Sequence, residues 1–340
     1  MQEEKYYNTL AISSTSVKQF KTMPPIEWKK LWITKEKEQK TSISLSKGSL
    51  TDDLLFNPSA VDERYLVMEV KKPSDSISYI IENIFVPDEN IFLGDLKDRA
   101  LECAKRAPMP DNKTGYGQSW NEDTLFDKII SAGNTYYEFL KTTNGKCVLG
   151  ATEYMAALGM AEAMKKSKEV EEFLNPKLNK FQFQIITDDD FPDKLKGCFD
   201  ILNINDKKKQ IRVVDFKTCD NAFYFISNIF KFGYLEQMSF YNRLLFIWIQ
   251  ENSKKYGKYE ILPPMNIVID SRYNTPYFYE YNWKDINAAW NGYFKYGKMQ
   301  NGIKDTIKEI QWHIINDKWE YPMEHYIYGK INLNLLSHND

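Results

Sequence analysis

The sequence is poor in histidine, and the few that it has lie near its C-terminal end. Only His313, His325 and His338 occur among the 340 residues. A Ser-His-Asp triad or a histidine-rich metal cluster therefore has little to draw on in the central part of the chain. There is also no GxxxxGK[ST] sequence, which excludes a P-loop for ATP. Acidic residues and lysines remain as the groups available for catalysis.

Cysteine is scarce as well, and it occurs in no metal-binding or disulfide pattern. The four cysteines stand singly: Cys103, Cys147, Cys198 and Cys219. Without a CxxC pair there is no zinc ribbon and no disulfide framework. We expect four reduced thiols in a cytoplasmic protein.

Long apolar runs and a strong charge of one sign are also missing. No run approaches the ~20 residues that a membrane span needs, and residues 1–7 are too polar for a secretory signal. These features predict a soluble, cytoplasmic chain with no membrane contact. The formal net charge is -2, so any binding of nucleic acid would depend on a local basic surface.

The order of apolar patterns predicts an α/β (α+β) fold with a mixed central β-sheet flanked by helices. We expect a single domain over 1–340, with a mainly helical part (1–175), a sheet core (176–285) and C-terminal helices (286–340). Strands are predicted at 181–186, 196–204, 210–217, 265–270 and 277–281. A short polar turn between the second and third of these predicts an antiparallel hairpin.

Helices are predicted where apolar residues recur at three and four positions or where capping residues occur. A helix at 14–32 is interrupted by Pro24 and Pro25, and another opens at a small-residue turn near Gly48 and stops at Asn57-Pro58. Asp220 is predicted to cap a helix that follows the third strand. The remaining predicted helices are 151–174, 221–232 and 234–250.

The residues that suggest chemistry lie on the hairpin. Gly197-Cys198-Phe199-Asp200 precedes the turn, and the next strand ends in Asp215-Phe216-Lys217-Thr218. Because strand side chains alternate between faces, Asp215 and Lys217 point the same way, and pairing brings Asp200 to the neighbouring strand. Two carboxylates there suit Mg²⁺ or Mn²⁺, and the lysine can offset charge on a phosphate. This set would hydrolyse a phosphodiester without histidine.

Gln237 and Tyr241 follow on the next predicted helix, four residues apart and hence on one face. They suit contacts to a phosphate or to water around a metal. Taken singly, a DxK strand commonly forms a solvated edge, and Gln and Tyr at this spacing are commonly surface and core residues. The order GxxD, turn, DxKT and QxxxY is what favours a functional site.

This order resembles the PD-(D/E)XK nucleases with a QxxxY motif, and especially the RecE-like, exodeoxyribonuclease VIII-type group of phages and prophages. Residues 14–24 resemble the opening helix of that group, and residues 48–58 resemble its GxxxHxxLLxP stretch. The resemblance implies a PD-(D/E)XK core with Asp200, Asp215, Lys217, Gln237 and Tyr241 as catalytic residues. It also implies DNA contacts by five further residues: Ser14, Ser16, Gly48, Ser49 and Thr218.

The chain departs from the family pattern at two metal-binding positions. Asp52 stands where the family has a histidine, and Gln182 or Gln184 lies where it has a glutamate on the strand before GxxD. We expect Asp52 and Gln182 to serve the metal beside Asp200 and Asp215. The third acid, Asp215, is an accepted variant of the family's glutamate.

The resemblance implies a Mg²⁺- or Mn²⁺-dependent exonuclease that acts on duplex DNA ends, degrades the 5′ strand and leaves a 3′ strand for a phage single-strand annealing protein. A ring-shaped homo-oligomer is in keeping with the family. Relatives that hold an iron–sulfur cluster have three cysteines near the C-terminus, and none follows Cys219 here, so no cluster is expected. Two alternatives stay open: a structure-selective or nicking endonuclease, including a nuclease module of a repair complex, and a DNA-binding or assembly protein with a weakened site.

Two further features bear on DNA contact. Lys18, Lys21, Lys29 and Lys30 lie near the opening helix and could follow phosphates. The aromatic run from Phe223 to Tyr234 could stack on an unwound strand. For each feature the commoner outcome is structural, a solvated face for the lysines and core packing for the aromatic residues.

Overall fold

The computed structural model describes residues 2–37, 43–86, 89–109, 115–295 and 298–331. The α-helices in this part of the chain are α1 (Gln2–Asn8), α2 (Ser14–Phe20), α3 (Pro25–Trp32), α4 (Ile43–Phe56), α5 (Val61–Arg64), α6 (Asp75–Ile84), α7 (Lys97–Ala104), α8 (Glu122–Lys141), α9 (Ala151–Lys166), α10 (Lys168–Leu174), α11 (Phe225–Lys231), α12 (Tyr234–Glu251), α13 (Ser253–Tyr256), α14 (Trp283–Asn291), α15 (Ile303–Asn316) and α16 (Met323–Tyr328). None of these described helices has the length and apolar character needed to cross a bilayer.

The strands in the described ranges are β1 (Tyr65–Val67), β2 (Cys147–Leu149), β3 (Asn179–Ile186), β4 (Lys196–Asn205), β5 (Gln210–Cys219), β6 (Glu260–Ile261), β7 (Met265–Asp270), β8 (Pro276–Glu280), β9 (Tyr293–Lys295) and β10 (Lys298–Gln300). The backbone packs into two compact units. The first comprises Met1–Ser42 with Leu158–Asp340, and the second is Ile43–Ala157. The first unit is therefore built from two separated stretches of sequence.

The second unit is mainly helical. Helices α6, α7 and α8 pack on one another around buried aliphatic and aromatic side chains such as Ile80, Ile129 and Tyr137. Strand β1 pairs in parallel with β2, with Tyr65 opposite Cys147. A smaller cluster around Leu50, which is 0% exposed, fixes α4 beside this pair.

The first unit contains a mixed six-stranded sheet in the order β3-β4-β5-β7-β8, with β6 also paired to β5. The pairs β3/β4, β4/β5 and β7/β8 are antiparallel, whereas β5 and β7 are parallel. All six residues of β7 are buried, as expected for a strand with neighbours on both sides. The prediction of a mixed sheet flanked by helices is confirmed.

Helix α12 covers the sheet at β4 and β5. Its apolar side chains, among them Met238 and Leu244, join a core with Val213 of β5 and Val268 of β7. The helix approaches closely at Gly197, where a Cβ atom would lie 2.5 Å from Leu244 Cδ1. The glycine of the GxxD motif thus sets the distance between α12 and β4.

The ladder between β3 and β4 is interrupted at one place, where Gln182 stands opposite Asp200. The register is the same on both sides, because Phe181 pairs with Ile201 and Phe183 pairs with Phe199. No residue is inserted, but Gln182 has a φ of 46°. This left-handed conformation is uncommon for a residue other than glycine, and such strain clusters at functional sites. The break lies beside the predicted acid.

Several predicted boundaries are confirmed. The helix over 14–32 is divided at the two prolines into α2 and α3. The hairpin of β4 and β5 is antiparallel, with Leu202 opposite Val213, and α12 begins at Tyr234 after Gly233. Helix α4 ends at Phe56, before the predicted stop at Asn57-Pro58.

Other boundaries were wrong, for local reasons. The predicted 151–174 helix is two helices, because Ser167 is extended (φ -75°, ψ 124°) and its hydroxyl donates to Glu169 Oε2 at 2.8 Å. Helix α4 starts at Ile43 rather than after the Gly48 turn, since a glycine inside a helix costs only about 1 kcal/mol. Asp220 does not cap the next helix.

Asn221 is the capping residue there, and its Oδ1 accepts the Phe223 N–H at 3.0 Å. The predicted 221–232 helix is a short 3₁₀ turn, Ala222–Tyr224, followed by α11. Asparagine and aspartate are nearly equal as helix caps, so the sequence alone did not distinguish the two neighbours.

Candidate active site

Asp215, the sixth of the ten residues of β5, is 1% exposed and has fixed partners on both carboxylate oxygens. Its Oδ2 accepts from Asn266 Nδ2 at 2.9 Å and forms an ion pair with Lys217 Nζ. Its Oδ1 accepts from Gln237 Nε2 at 3.2 Å. A buried carboxylate is costly unless it is hydrogen-bonded and paired, and these three donors satisfy that condition.

Lys217 lies two residues further along β5, on the same face as Asp215. Burial by itself would lower the pKa of Lys217, but the charges of Asp215 and Asp200 outweigh burial and raise that pKa above its usual range. The Nζ atom also lies 5.2 Å from the ring centroid of Tyr234. Lys217 is therefore an ammonium ion at neutral pH, which suits it to donate hydrogen bonds rather than to accept a proton.

Asp200, on β4, is half-buried and is held by a single backbone donor. Its Oδ2 accepts the Phe216 N–H at 2.8 Å. Burial and then the neighbouring Asp215 raise the pKa of Asp200 to about 7, while Lys217 and the Phe216 N–H act in the opposite direction. The two predicted acids are therefore close enough to interact strongly, and Asp200 exchanges its proton near neutrality.

Gln182 reaches the site from β3. Its Nε2 lies 3.5 Å from Asp200 Oδ1, and its Oε1 lies 3.5 Å from Cys198 Sγ. The distance to Asp200 is at the outer limit of an N–H···O hydrogen bond, so Gln182 touches the second acid without fixing it. The prediction that its amide oxygen serves a metal stays a prediction.

Gln237 and Tyr241 meet the acids from α12. Gln237 Nε2 donates to Asp215 and also to the Tyr241 hydroxyl at 3.0 Å. The Tyr241 ring packs on Phe199 with centroids 5.0 Å apart. Burial, followed by the charges of Asp215 and Asp200, raises the pKa of Tyr241 well above its usual value, so the phenol stays neutral. Gln237 therefore supports Asp215 directly, and Tyr241 contributes through its hydrogen bond with Gln237.

Asn266 on β7 was not identified from the sequence. It is 0% exposed, it donates to Asp215, and its Oδ1 accepts the Tyr281 hydroxyl at 2.5 Å. An asparagine inside an otherwise apolar strand was a signal that could have been used, because a buried amide needs polar partners. Its strand is the parallel neighbour of β5, which places it directly beside Asp215.

The residues predicted to contact DNA fall in different places. Ser14 borders a cleft of about 630 Å³ that also reaches Gly197 and Tyr241. Ser16 is 1% exposed, and its hydroxyl donates to the Ser13 carbonyl at 2.8 Å while it accepts the Ser13 N–H. This places the Ser16 hydroxyl inside a helix cap rather than on the surface. Thr218 follows Lys217 on β5, and strand alternation turns its side chain to the opposite face.

Gly48, Ser49 and Asp52 lie on α4 in the second unit. Ser49 is exposed and Asp52 is half-buried. Their predicted roles, a DNA contact for the first two and a metal contact for Asp52, stay predictions.

The donor set fits a hard cation that keeps much of its water. Asp200 and Asp215 offer carboxylate oxygens from adjacent strands, and Gln182 lies beside them. Within the described ranges there is no group of three or more histidine, cysteine or acidic side chains arranged for a metal. Mg²⁺ is commonly held by one or two carboxylates together with water and substrate phosphate, so two acids are enough for that ion.

Comparisons with known proteins add little. The chain matches no family model, and no curated protein matches it. A solved structure described as "Crystal structure of SSO0001" is similar over 71% of this chain and 84% of that chain, at 14% sequence identity and a TM-score of 0.26. A similarity of that size carries no argument about this chain.

Proposed function

We propose that this protein is a Mg²⁺- or Mn²⁺-dependent nuclease that hydrolyses phosphodiester bonds of DNA, of the PD-(D/E)XK type with a QxxxY motif. The observation that carries the proposal is the convergence of Asp200, Asp215 and Lys217 at neighbouring strands of one sheet. The sequence spacing alone had suggested this group, and the hydrogen bonds of Asp215 give it a defined geometry. Gln237 and Tyr241 complete the pattern from α12.

In this proposal each residue has a separate task. A bound divalent ion would polarise the scissile phosphate and acidify a water molecule. Asp215, whose carboxylate is oriented by Asn266 and Gln237, would provide the first carboxylate for the ion. Asp200 provides the second carboxylate in its ionised form. The Lys217 ammonium offsets negative charge that develops on the phosphate.

The substrate and the setting rest on the family resemblance. We propose duplex DNA ends as the substrate, with degradation of the 5′ strand and a 3′ strand left for a phage single-strand annealing protein. A ring-shaped homo-oligomer in the cytoplasm of a bacterial host is part of the same proposal.

The test is cleavage of linear duplex DNA by the purified protein with Mg²⁺, compared with a covalently closed circle. An exonuclease degrades the linear DNA and leaves the circle intact, whereas cuts in the circle would indicate the alternative, an endonuclease. Asp215→Asn and Asp200→Asn should each abolish cleavage with the fold retained by circular dichroism. Full activity of either variant would overturn the assignment.

A DNA-binding or assembly protein with a weakened site is a second candidate. It is favoured by one observation, that Asp215 already has three protein partners and only one other acid lies beside it among the described residues. Titration with Mn²⁺ by calorimetry separates the two. Retained DNA binding without any Mn²⁺ binding would support this candidate over the nuclease.

A further inference from the structure

The segment that follows β5 exposes an unusual number of large apolar side chains. Five of them lie within ten residues and are 38–67% exposed: Phe223, Tyr224, Ile226, Phe230 and Phe232. We call residues 222–232 the aromatic segment. Core packing, the commoner outcome expected for the rings of this run, is wrong for Phe223, Tyr224, Phe230 and Phe232, whereas Phe225 is 1% exposed and does pack inside. Large apolar side chains exposed this close together in sequence are typical of binding surfaces.

The N-terminal end of the aromatic segment is anchored by hydrogen bonds at Ala222. The Ala222 N–H donates to Asp270 Oδ2 at 3.2 Å, and the Ala222 carbonyl accepts the Tyr279 hydroxyl at 2.5 Å. Phe225 stacks on Tyr234, with ring centroids 5.3 Å apart and planes 15° apart. The exposed rings are therefore presented by an anchored backbone, which lowers the entropy lost when a ligand binds.

The same stack links the aromatic segment to the candidate active site. Tyr234 lies between Phe225 and the Lys217 ammonium, which is 5.2 Å from its ring. A ligand that lies on the segment is thus only a few side chains away from Asp215. The surface and the site belong to one unit of the chain.

The charge beside the rings is positive. A cavity of about 160 Å³ is bordered by Phe230 together with Lys18, Lys21 and Lys231, against a single acid, Glu236. Lys231 Nζ also lies 5.2 Å from the ring centroid of Phe232. Aromatic faces interleaved with lysines fit a ligand that alternates flat rings with negative charges. An unpaired nucleic-acid strand is such a ligand, and its bases are free to stack, whereas those of a duplex already stack on each other.

We propose that the aromatic segment, with Lys18 and Lys231, binds the bases and phosphates of an unpaired DNA strand beside the candidate site. The inference deepens the proposed function and rests on it for the identity of the substrate. The surface would keep the single strand close to the acids during degradation of a duplex end. Stacking supplies affinity without sequence preference, which suits a nuclease that degrades DNA of any sequence.

The test measures binding of a labelled oligothymidylate by fluorescence anisotropy, in chelator so that no cleavage occurs. Phe230→Ala and the double variant Phe223→Ala, Tyr224→Ala should each bind the strand roughly tenfold more weakly. Phe230→Tyr keeps a stacking ring and should bind normally. The matched control is Phe246→Ala, because Phe246 is 41% exposed on α12 but borders a different cavity, with Arg243 and Trp290.

Two results would overturn the inference. One is unchanged oligothymidylate binding by both alanine variants. The other is a change of oligomeric state in the variants by sedimentation, with unchanged binding, which would show a contact between copies of the chain. Cleavage of duplex DNA is measured in parallel. If the unchanged protein does not cleave, the proposed function fails, while weaker binding by the variants still supports the surface.

Discussion

Asp215 and Asp200 stand on neighbouring strands, yet the fold surrounds them differently. On the β5/β7 side, a continuous parallel ladder places Asn266 beside Asp215, and α12 adds Gln237. On the β3/β4 side, the ladder is broken at Gln182 and one backbone N–H holds Asp200. The first acid is fixed by donors before any ligand arrives. The second is the adjustable member, with a pKa near neutrality.

After the loss of either acid, the largest effect is expected when the Lys217 ammonium beside Asp215 is removed. Lys217→Met should lower DNA cleavage by about 10²–10³-fold, because a charged donor near the developing charge is lost. Steady-state cleavage of linear duplex DNA measures this. Lys207→Met, in the exposed turn between β4 and β5, is the control. Equal losses in both variants would mean that bulk charge, rather than position, matters.

Asn266→Leu should remove one of the hydrogen bonds that fix the Asp215 carboxylate. It leaves the carboxylate Oδ2 and the Tyr281 hydroxyl each without an amide partner, so the free energy of unfolding should fall by about 1–3 kcal/mol in urea titrations. Mn²⁺ affinity should fall as well.

Asn203→Leu is the matched control for that change, because Asn203 is also a buried strand asparagine but donates to Asn179. It should lower stability and leave Mn²⁺ affinity unchanged. If both variants bind Mn²⁺ like the unchanged chain, Asn266 supports only the fold.

The pH dependence of stability and of Mn²⁺ affinity should report on the protonation of Asp200. The pKa of Asp200 is raised to about 7 in the folded chain, so folding takes up a proton between the ordinary aspartate range and pH 7. Its contribution to stability is therefore complete at low pH and is lost as pH rises towards 7. A metal needs the ionised form, so Mn²⁺ affinity should rise about tenfold per pH unit below 7 and level off above it.

Asp200→Asn provides the check on that interpretation. In metal-free protein the variant should lose the decline in stability between acid and neutral pH. Thermal unfolding over a pH series measures this. An unchanged decline would assign the proton to another group.

The smallest effect is expected at Gln182, where the ladder between β3 and β4 is interrupted. Gln182→Gly removes the strain of a φ of 46° and should raise stability by roughly 0.5–1 kcal/mol. Gln184→Gly, two residues along the same strand, should instead lower stability by a similar amount, since the backbone there is extended. Unfolding in urea distinguishes the signs. Destabilisation by both changes would show that the Gln182 side chain outweighs its backbone strain.

Much of the site was predictable because it depends on local rules. Alternation along β5 placed Asp215 and Lys217 on one face, and a short turn predicted the hairpin that carries Asp200. The i, i+4 spacing placed Gln237 and Tyr241 together, and their hydrogen bond confirms this. Each of these inferences needed only residues close in sequence.

The features of the site that the sequence did not predict depend on residues far apart in the chain. Asn266 meets Asp215 only through the parallel pairing of strands separated by a long crossover, and no local pattern encodes that pairing. The left-handed backbone of Gln182 is uncommon for a residue other than glycine, so no local preference predicts it. The exposed rings of the aromatic segment have the helical spacing of core residues, so only their surroundings show that they face outward.

The parallel pairing of β5 and β7 also has a kinetic consequence. Asp215 and Asn266 are 51 residues apart, and parallel strands can be joined only by a long crossover connection. Because closing so long a loop costs entropy before the contact stabilises the chain, we expect this pairing to form late in folding. We therefore predict that the Asp215 carboxylate stays hydrated until β7 joins the sheet. Substitutions at Asn266 should accelerate unfolding and leave the refolding rate nearly unchanged.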